Sequence, residues 1–198
     1  MQSKGALLRC KDIIQAKNLK IIGVDYNNLY IQAAQEAIMK QNMSQHISVH
    51  TLDIYNEEAL QMVLQKENIS FVDSAYFSGS FSLMPDPKGA LAAVKKVLSP
   101  RPRSGNIYIT QTYQKRTLPL MTTIKPMLKF ITTVDFGQLV TVEAIDEMLN
   151  DVDGMDLVEH GIMEGSVDTY WQAAYLSVLK LALTKDGKNE MKKERSDL

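Results

Sequence analysis

The stretch Ile21–Tyr26, reading IIGVDY, constrains the fold more than any other part of the chain. It is a short apolar run rich in β-branched residues. It ends in an acid and then gives way to a helix-forming segment. Such a run predicts a buried parallel strand that presents a carboxylate at its C-terminal edge. Open α/β sheets bind ligands at that edge, where a carboxylate can accept hydrogen bonds from both hydroxyls of a ribose.

The segments on either side alternate helix and strand. Gly5–Lys17 reads as an amphipathic helix through Leu7, Leu8, Ile13, Ile14 and Ala16, and it leads into a strand over Leu19–Asp25. Asn28–Gln41 repeats apolar residues at helical spacing, with Asn27 or Asn28 as its cap. Ile47–Ile54 (ISVHTLDI) is a second strand closing on Asp53, and Glu57–Gln65 is a helix whose early acids suit its dipole. Ser70–Phe77 is a third strand broken by Gly79. The turn Met84-Pro85-Asp86-Pro87 feeds a helix over Gly89–Leu98, which must stop before Pro100. Asn106–Thr112 is a fourth strand, and helices follow over Leu118–Ile131 and Val142–Asn150. Met155–Gly161 and Tyr170–Leu183 are strand-like, with too little chain between them for a crossover helix, so they are expected to pair antiparallel. The order predicts an α/β, doubly wound sheet with helices on both faces and a reversed C-terminal strand. Residues 1–184 would form one domain, and the charged tail 185–198, lacking an apolar face, would be disordered.

A chain of 198 residues, 45% hydrophobic, can bury a real core. Its net charge of -1 gives no reason to expect nucleic acid, whose binders usually carry a concentrated basic patch. No apolar run is long enough to span a bilayer, no secretion signal opens the chain, and Cys10 alone can form no internal disulfide. A cytoplasmic location is the default, and the sequons at Asn42 and Asn68 read as chance. His46, His50 and His160 lack metal-ligand spacing and read as ordinary surface or strand histidines. Asp151, Asp153 and Asp156 lack the later glutamate of a calcium loop, so no metal site is expected.

Four stretches together resemble the class I S-adenosylmethionine-dependent methyltransferases, in particular the small-molecule branch with the ubiquinone and menaquinone methyltransferases. IIGVDY resembles the strand whose terminal acid holds the cofactor ribose, which implies that role for Asp25 and places Tyr26 against the adenine. HTLDIY resembles the next strand end, implying that Asp53 accepts from the adenine amino group while Ile54 packs on the ring. FSGSFSLMPDPKGALAAVKKVLSP resembles the family stretch around "LPDP", implying that Phe77, Ser78 and Gly79 pass beside the methionine portion. MDLVEHG and the last strand resemble the closing hairpin. S-adenosylmethionine is thus the implied cofactor and a small molecule the implied methyl acceptor.

The resemblance departs from the family at two places. Residues Pro100–Gly105 replace a "PGG" turn. More seriously, the family's opening strand and Gly-x-Gly-x-Gly turn are not matched, and Gly5 stands about where the last of those glycines belongs. The missing strand would lie between those ending at Asp25 and Phe77. Unsatisfied backbone groups cost about 1–3 kcal/mol each, against a net stability of about 5–15 kcal/mol for a domain. The expectations are a fragment of a longer protein, a sheet that closes up, or a second chain that supplies a strand.

Methyl transfer from a sulfonium is an in-line displacement that mainly requires positioning. A base is needed only where the acceptor must lose a proton. No catalytic residue is therefore assigned. Tyr113 and the apolar segment Leu118–Phe136 fall where the family places its substrate lid, which suggests an apolar or amphipathic acceptor. Tyr170, Trp171 and Tyr175 read as packing rather than a substrate cage. Two other classes compete: a non-catalytic methyltransferase-like partner subunit, and a nicotinamide-dependent oxidoreductase, which shares the acid after a second strand.

Overall fold

The computed structural model describes residues 6–101, 104–115, 142–166 and 168–182. Gly5, the segment Leu118–Phe136 and the charged tail lie outside the described residues. The chain divides into two compact units, Met1–Ser70 and Phe71–Leu198.

The first unit holds α1 (Ala6–Arg9), α2 (Lys11–Ala16), β1 (Ile21–Asp25), α3 (Asn28–Lys40), β2 (Ile47–Thr51) and α4 (Glu57–Lys66). Strands β1 and β2 run parallel, with Ile21 opposite Ile47 and Asp25 opposite Thr51. The helix expected over Gly5–Lys17 is broken at Cys10 into α1 and α2. The strand expected to end on Asp53 stops at Thr51, because β1 has no residue in register beyond Asp25. The core gathers Ile14, Ile38, Met43 and Ile47, with Leu8, Ile21 and Val49 packed against it. β1 is half-buried at every position rather than fully buried; among the described residues its only ladder partner is β2.

Three helices of this unit end in one way. Asn18, Asn42 and Asn68 take positive φ of 48°, 56° and 56° just past α2, α3 and α4. The next residue's N–H then reaches back five positions: Leu19 to Ile14 O at 2.9 Å, Met43 to Ile38 O and Ile69 to Leu64 O at 3.0 Å. This double-bonded C-terminal motif satisfies the last carbonyls and brings an apolar residue back onto the helix it has just left. Asparagine tolerates the left-handed conformation better than other non-glycine residues. Two of these asparagines are the sequon positions.

The second unit holds β3 (Ser74–Ser78), a short 3-10 turn (Phe81–Leu83), α5 (Pro87–Lys95), β4 (Asn106–Gln114), α6 (Val142–Asn150), β5 (Met155–Ile162) and β6 (Gln172–Leu181). The strand order is β3-β4-β6-β5. β3 and β4 are parallel, while β6 runs antiparallel to both β4 and β5. The reversed C-terminal strand and the antiparallel closing pair match the sequence expectation. α5 begins where Asp86 accepts from Gly89 N–H at 2.9 Å, with Pro87 in the first turn. Ile107, Ile109, Leu179 and Ala173 are fully buried on one sheet face. Between Leu157 and Glu159 the β5 ladder carries a bulge, and Val158 is left exposed at the extra position. Asp151 and Asp153 pair with Lys88 and Lys95 of α5.

Candidate functional site

In the first unit, the parallel pairing brings the C-terminal ends of β1 and β2 side by side. The half-buried Asp25 carboxylate accepts from Asn27 N–H through Oδ1 at 2.8 Å. Asn27 in turn caps α3 by accepting from Leu29 N–H at 2.9 Å. Oδ2 of Asp25 has no partner among the described residues. Opposite, Thr51 donates to Asn28 Oδ1 at 3.0 Å, and Leu52 N–H donates to Asp25 O at 3.0 Å. These bonds tie the two strand ends together. Asp53 follows two residues later in an exposed turn, one oxygen accepting from Tyr55 N–H at 3.0 Å. It does not cap α4; Asn56 does, through Ala59 N–H. Ile54 is half-buried. Tyr26, the next residue along the chain, is 82% exposed.

These acceptors suit the hydroxyls of a ribose, and an exposed ring suits a flat base. Each carboxylate has one oxygen held by a local backbone N–H and therefore pre-aimed, and the exposed Tyr26 follows Asp25 in the chain. Aromatic rings left in water are the surface on which a planar base stacks with little reorganisation.

A second polar group in this unit has a different character. Glu67 is bonded by His50 Nε2 at 3.0 Å and paired with Lys20 at 3.2 Å. The Ser48 hydroxyl, set against it without an aligned hydrogen bond, together with Lys20 and His50, holds its carboxyl below the usual range despite the opposing effect of burial. This group fastens the α4 terminus to β1 and β2.

In the second unit, Phe77 is buried and sits edge-on to Phe81 at 5.4 Å, so its ring belongs to the core. Ser78 is exposed. Gly79 turns the chain at φ +67° and donates its N–H to Thr110 O at 2.8 Å. Among the described residues beyond its chain neighbours, no atom lies within 4 Å of where its Cβ would stand, so its positive φ is what favours glycine there.

The sequence did not disclose a polar array on the β4-β6-β5 face. Register sets Ile109, Ser177 and His160 in one row and Gln111, Tyr175 and Ile162 in the next. His160 Nδ1 lies 2.7 Å from Ser177 Oγ, and Nε2 lies 3.1 Å from Asp146 Oδ1 of α6. The second contact is at ion-pair distance but off the ring N–H axis, so Nε2 has no aligned hydrogen bond. The His160 ring stacks on Tyr175 at 5.1 Å, and Tyr113 lies 5.7 Å from Tyr175 and 6.4 Å from His160. Tyr113 belongs inside β4, not beyond it, and is only 1% exposed. Burial pushes its phenol well above the ordinary value of 10.0; Ser177 opposes that shift and Asp146 adds to it. The phenol is thus a neutral hydroxyl. Its oxygen, with Gln111 Oε1 and His160 Nε2, is buried without an aligned partner among the described residues. Tyr170 and Trp171 form a separate, half-exposed edge-to-face pair at 4.8 Å.

Among the described residues no group of three or more His, Cys, Asp or Glu could hold a metal ion. No helix among them is long and apolar enough to cross a membrane.

No protein-family model and no curated protein matches the sequence. Several solved structures match the fold. A SAM-dependent methyltransferase from Geobacter sulfurreducens, in complex with S-adenosyl-L-homocysteine, superposes with a TM-score of 0.57 at 12% identity, covering 90% of this chain and 81% of that one. An O-methyltransferase family protein from Burkholderia thailandensis gives 0.58 at 8% identity, covering 92% of this chain and 59% of that one. The [4+2]-cyclase SpnF gives 0.59 at 12% identity, covering 89% and 73%. Sequence order, parallel βαβ pairings, the reversed last strand and these likenesses agree: the chain has the Rossmann-like methyltransferase fold.

Proposed function

We propose that this chain transfers a methyl group from S-adenosylmethionine to a small-molecule acceptor. One observation carries the reading. Asp25 stands at the end of a parallel strand with one carboxylate oxygen fixed by Asn27 N–H and the other without a partner among the described residues. A carboxylate so placed can take a ribose hydroxyl pair without first breaking a strong bond of its own. Asp25 would hold the ribose, Tyr26 would stack on the adenine, and Asp53 and Ile54 would meet its amino edge and ring. When bound, S-adenosylmethionine supplies an activated methyl on a sulfonium. The chain's own part is to fix the nucleoside and exclude water. The small-molecule branch is favoured by the Met84–Pro87 turn, which caps α5 as the resemblance implies.

The fold alone does not choose the reaction; SpnF is named for a cyclisation. Isothermal titration of S-adenosylmethionine and S-adenosylhomocysteine into the chain is the test. Micromolar binding that weakens in Asp25→Ala supports the reading, and absence of binding to either compound sinks it.

A second reading is a non-catalytic, methyltransferase-like partner subunit. It is favoured by the ladders: among the described residues β1 pairs only with β2, and β3 only with β4. Each strand has one edge on which another chain could add a strand. Co-purification of a stoichiometric partner, together with no methyl transfer by the chain alone, would favour this reading over the first.

A further inference from the structure

The array on the β4-β6-β5 face has a chemistry that points to its ligand. Unsatisfied buried polar atoms cost stability, and in folded proteins they are few enough that each asks for a reason. Here three occur on one sheet face: Gln111 Oε1, Tyr113 Oη and His160 Nε2. Gln111 Oε1 can only accept a hydrogen bond. The Asp146 carboxylate beside Nε2 also only accepts. If Ser177 donates to His160 Nδ1 at 2.7 Å, Nε2 carries the ring proton and meets the Asp146 carboxylate only as an off-axis contact at 3.1 Å. If Nδ1 donates to Ser177, Nε2 is a third acceptor facing the carboxylate, and the two repel unless a donor comes between them. The phenol, held neutral by burial, offers lone pairs as well. Around these acceptors stand the rings of Tyr113, Tyr175 and His160, with centroids 5.1–6.4 Å apart. Aromatic faces attract cations. Burial grades outward from Ser177 (0%) and Tyr113 (1%) to Asp146, whose side chain is 45% exposed, so the array meets solvent at the carboxylate.

We propose that this array binds a small organic amine, with its ammonium against Asp146, Tyr113 and Gln111 and its carbon body against the rings. His160 in the tautomer protonated on Nδ1 can take a proton from the ammonium at Nε2, and Asp146 then balances the imidazolium charge. The amine nitrogen is left neutral with its lone pair free. That makes an amine the natural methyl acceptor, an assignment that rests on the methyl-transfer reading; the binding site itself does not.

The test uses the full chain without S-adenosylmethionine. Benzylamine, which is protonated at neutral pH, and benzyl alcohol, its uncharged counterpart, are titrated by calorimetry into wild type, Asp146→Asn and Tyr113→Phe. The expected result is binding of benzylamine at least about tenfold tighter than benzyl alcohol, since a charge-assisted contact is worth that much. Asp146→Asn should abolish the preference. Tyr113→Phe should raise the melting temperature, because it deletes an unsatisfied hydroxyl, and yet weaken benzylamine severalfold. A merely structural tyrosine would not give effects of opposite sign. Equal binding of the two probes, no binding of either, or an unchanged preference in Asp146→Asn overturns the proposal. A chain that binds benzylamine but not S-adenosylmethionine keeps the amine site and loses the methyl-transfer reading.

Discussion

In the first unit, the carboxylates and caps at the strand edge act within a few residues of their own backbone, and Thr51, donating to Asn28, reaches across from one strand end to the other. Asp25 reaches Asn27, Asp53 reaches Tyr55 and Asn56 reaches Ala59. In the second, the polar array is assembled across the sheet, with Tyr113 from β4, Ser177 from β6, His160 from β5 and Asp146 from α6. Local turns make a robust edge from a short stretch of sequence, whereas register makes an array that depends on three strands at once. The contrast separates what one substitution can do in each place.

The largest expected effect is on the sheet that sets that register. Leu179 is fully buried between Ile107 and Leu157. Leu179→Ala should cost about 2–5 kcal/mol in urea unfolding and disturb the pairing of His160 with Ser177, visible as a shifted imidazole resonance. An unchanged resonance at full loss of stability would mean that the array does not need the ladder.

Next comes the local edge. Asp25→Ala should weaken S-adenosylmethionine roughly ten- to hundredfold by calorimetry, because one charge-assisted bond is worth about 1.5–3 kcal/mol. Stability should change little, since Asn27 still caps α3. A comparable loss of stability would show that the edge is less independent than its hydrogen bonds suggest.

A smaller effect belongs to the helix ends. Asn42→Ala should destabilise by about 1 kcal/mol in denaturant titration, because a left-handed residue with a Cβ but no polar side chain costs about that much. Asn42→Gly should be neutral or slightly stabilising. If both variants behave alike, the positive φ is not what the asparagine provides.

The smallest is a pH dependence. Glu67 has its carboxyl lowered from the ordinary value of 4.5. Its contribution is therefore present above pH 4.5 and is lost as pH falls through the lowered folded value. The difference in melting temperature between wild type and Glu67→Gln should be a degree or two at most at pH 7, on the order of an exposed ion pair, and should vanish in acid. A difference that grows in acid would reverse the sign and remove the role given to Ser48, Lys20 and His50.

This contrast also explains what the sequence disclosed. The Asp25 edge was legible because a β-branched run, an acid and a capping asparagine are all read along one line of chain. So were the reversed last strand, from the shortness of its connection, and α5, from Asp86-Pro87. The end of β2 is not legible in ISVHTLDI because ladder length depends on the partner strand, which those residues do not contain. The inward placing of His160 is hidden for a sharper reason. Alternation from Met155 and Leu157 would bury Glu159 and expose His160. The bulge at Val158 reverses that order, and nothing in the period of the sequence announces it. Tyr113 lies inside β4 because pairing with β6 extends that strand to Gln114, which the strand's own residues do not announce.

The bulge in β5 has a further consequence for anyone tracing kinship through this fold. It works as a one-residue insertion inside a strand, where alignments are usually forbidden to open a gap. Deleting Val158 would restore unbroken pairing and leave Leu157 opposite Leu179 and His160 opposite Ser177. A relative without the bulge would therefore be one residue shorter there and still carry the same row of side chains. At identities of 8–12%, a gapless comparison would set this histidine beside the wrong neighbour, and equivalent residues should be sought by ladder position before they are sought by letter.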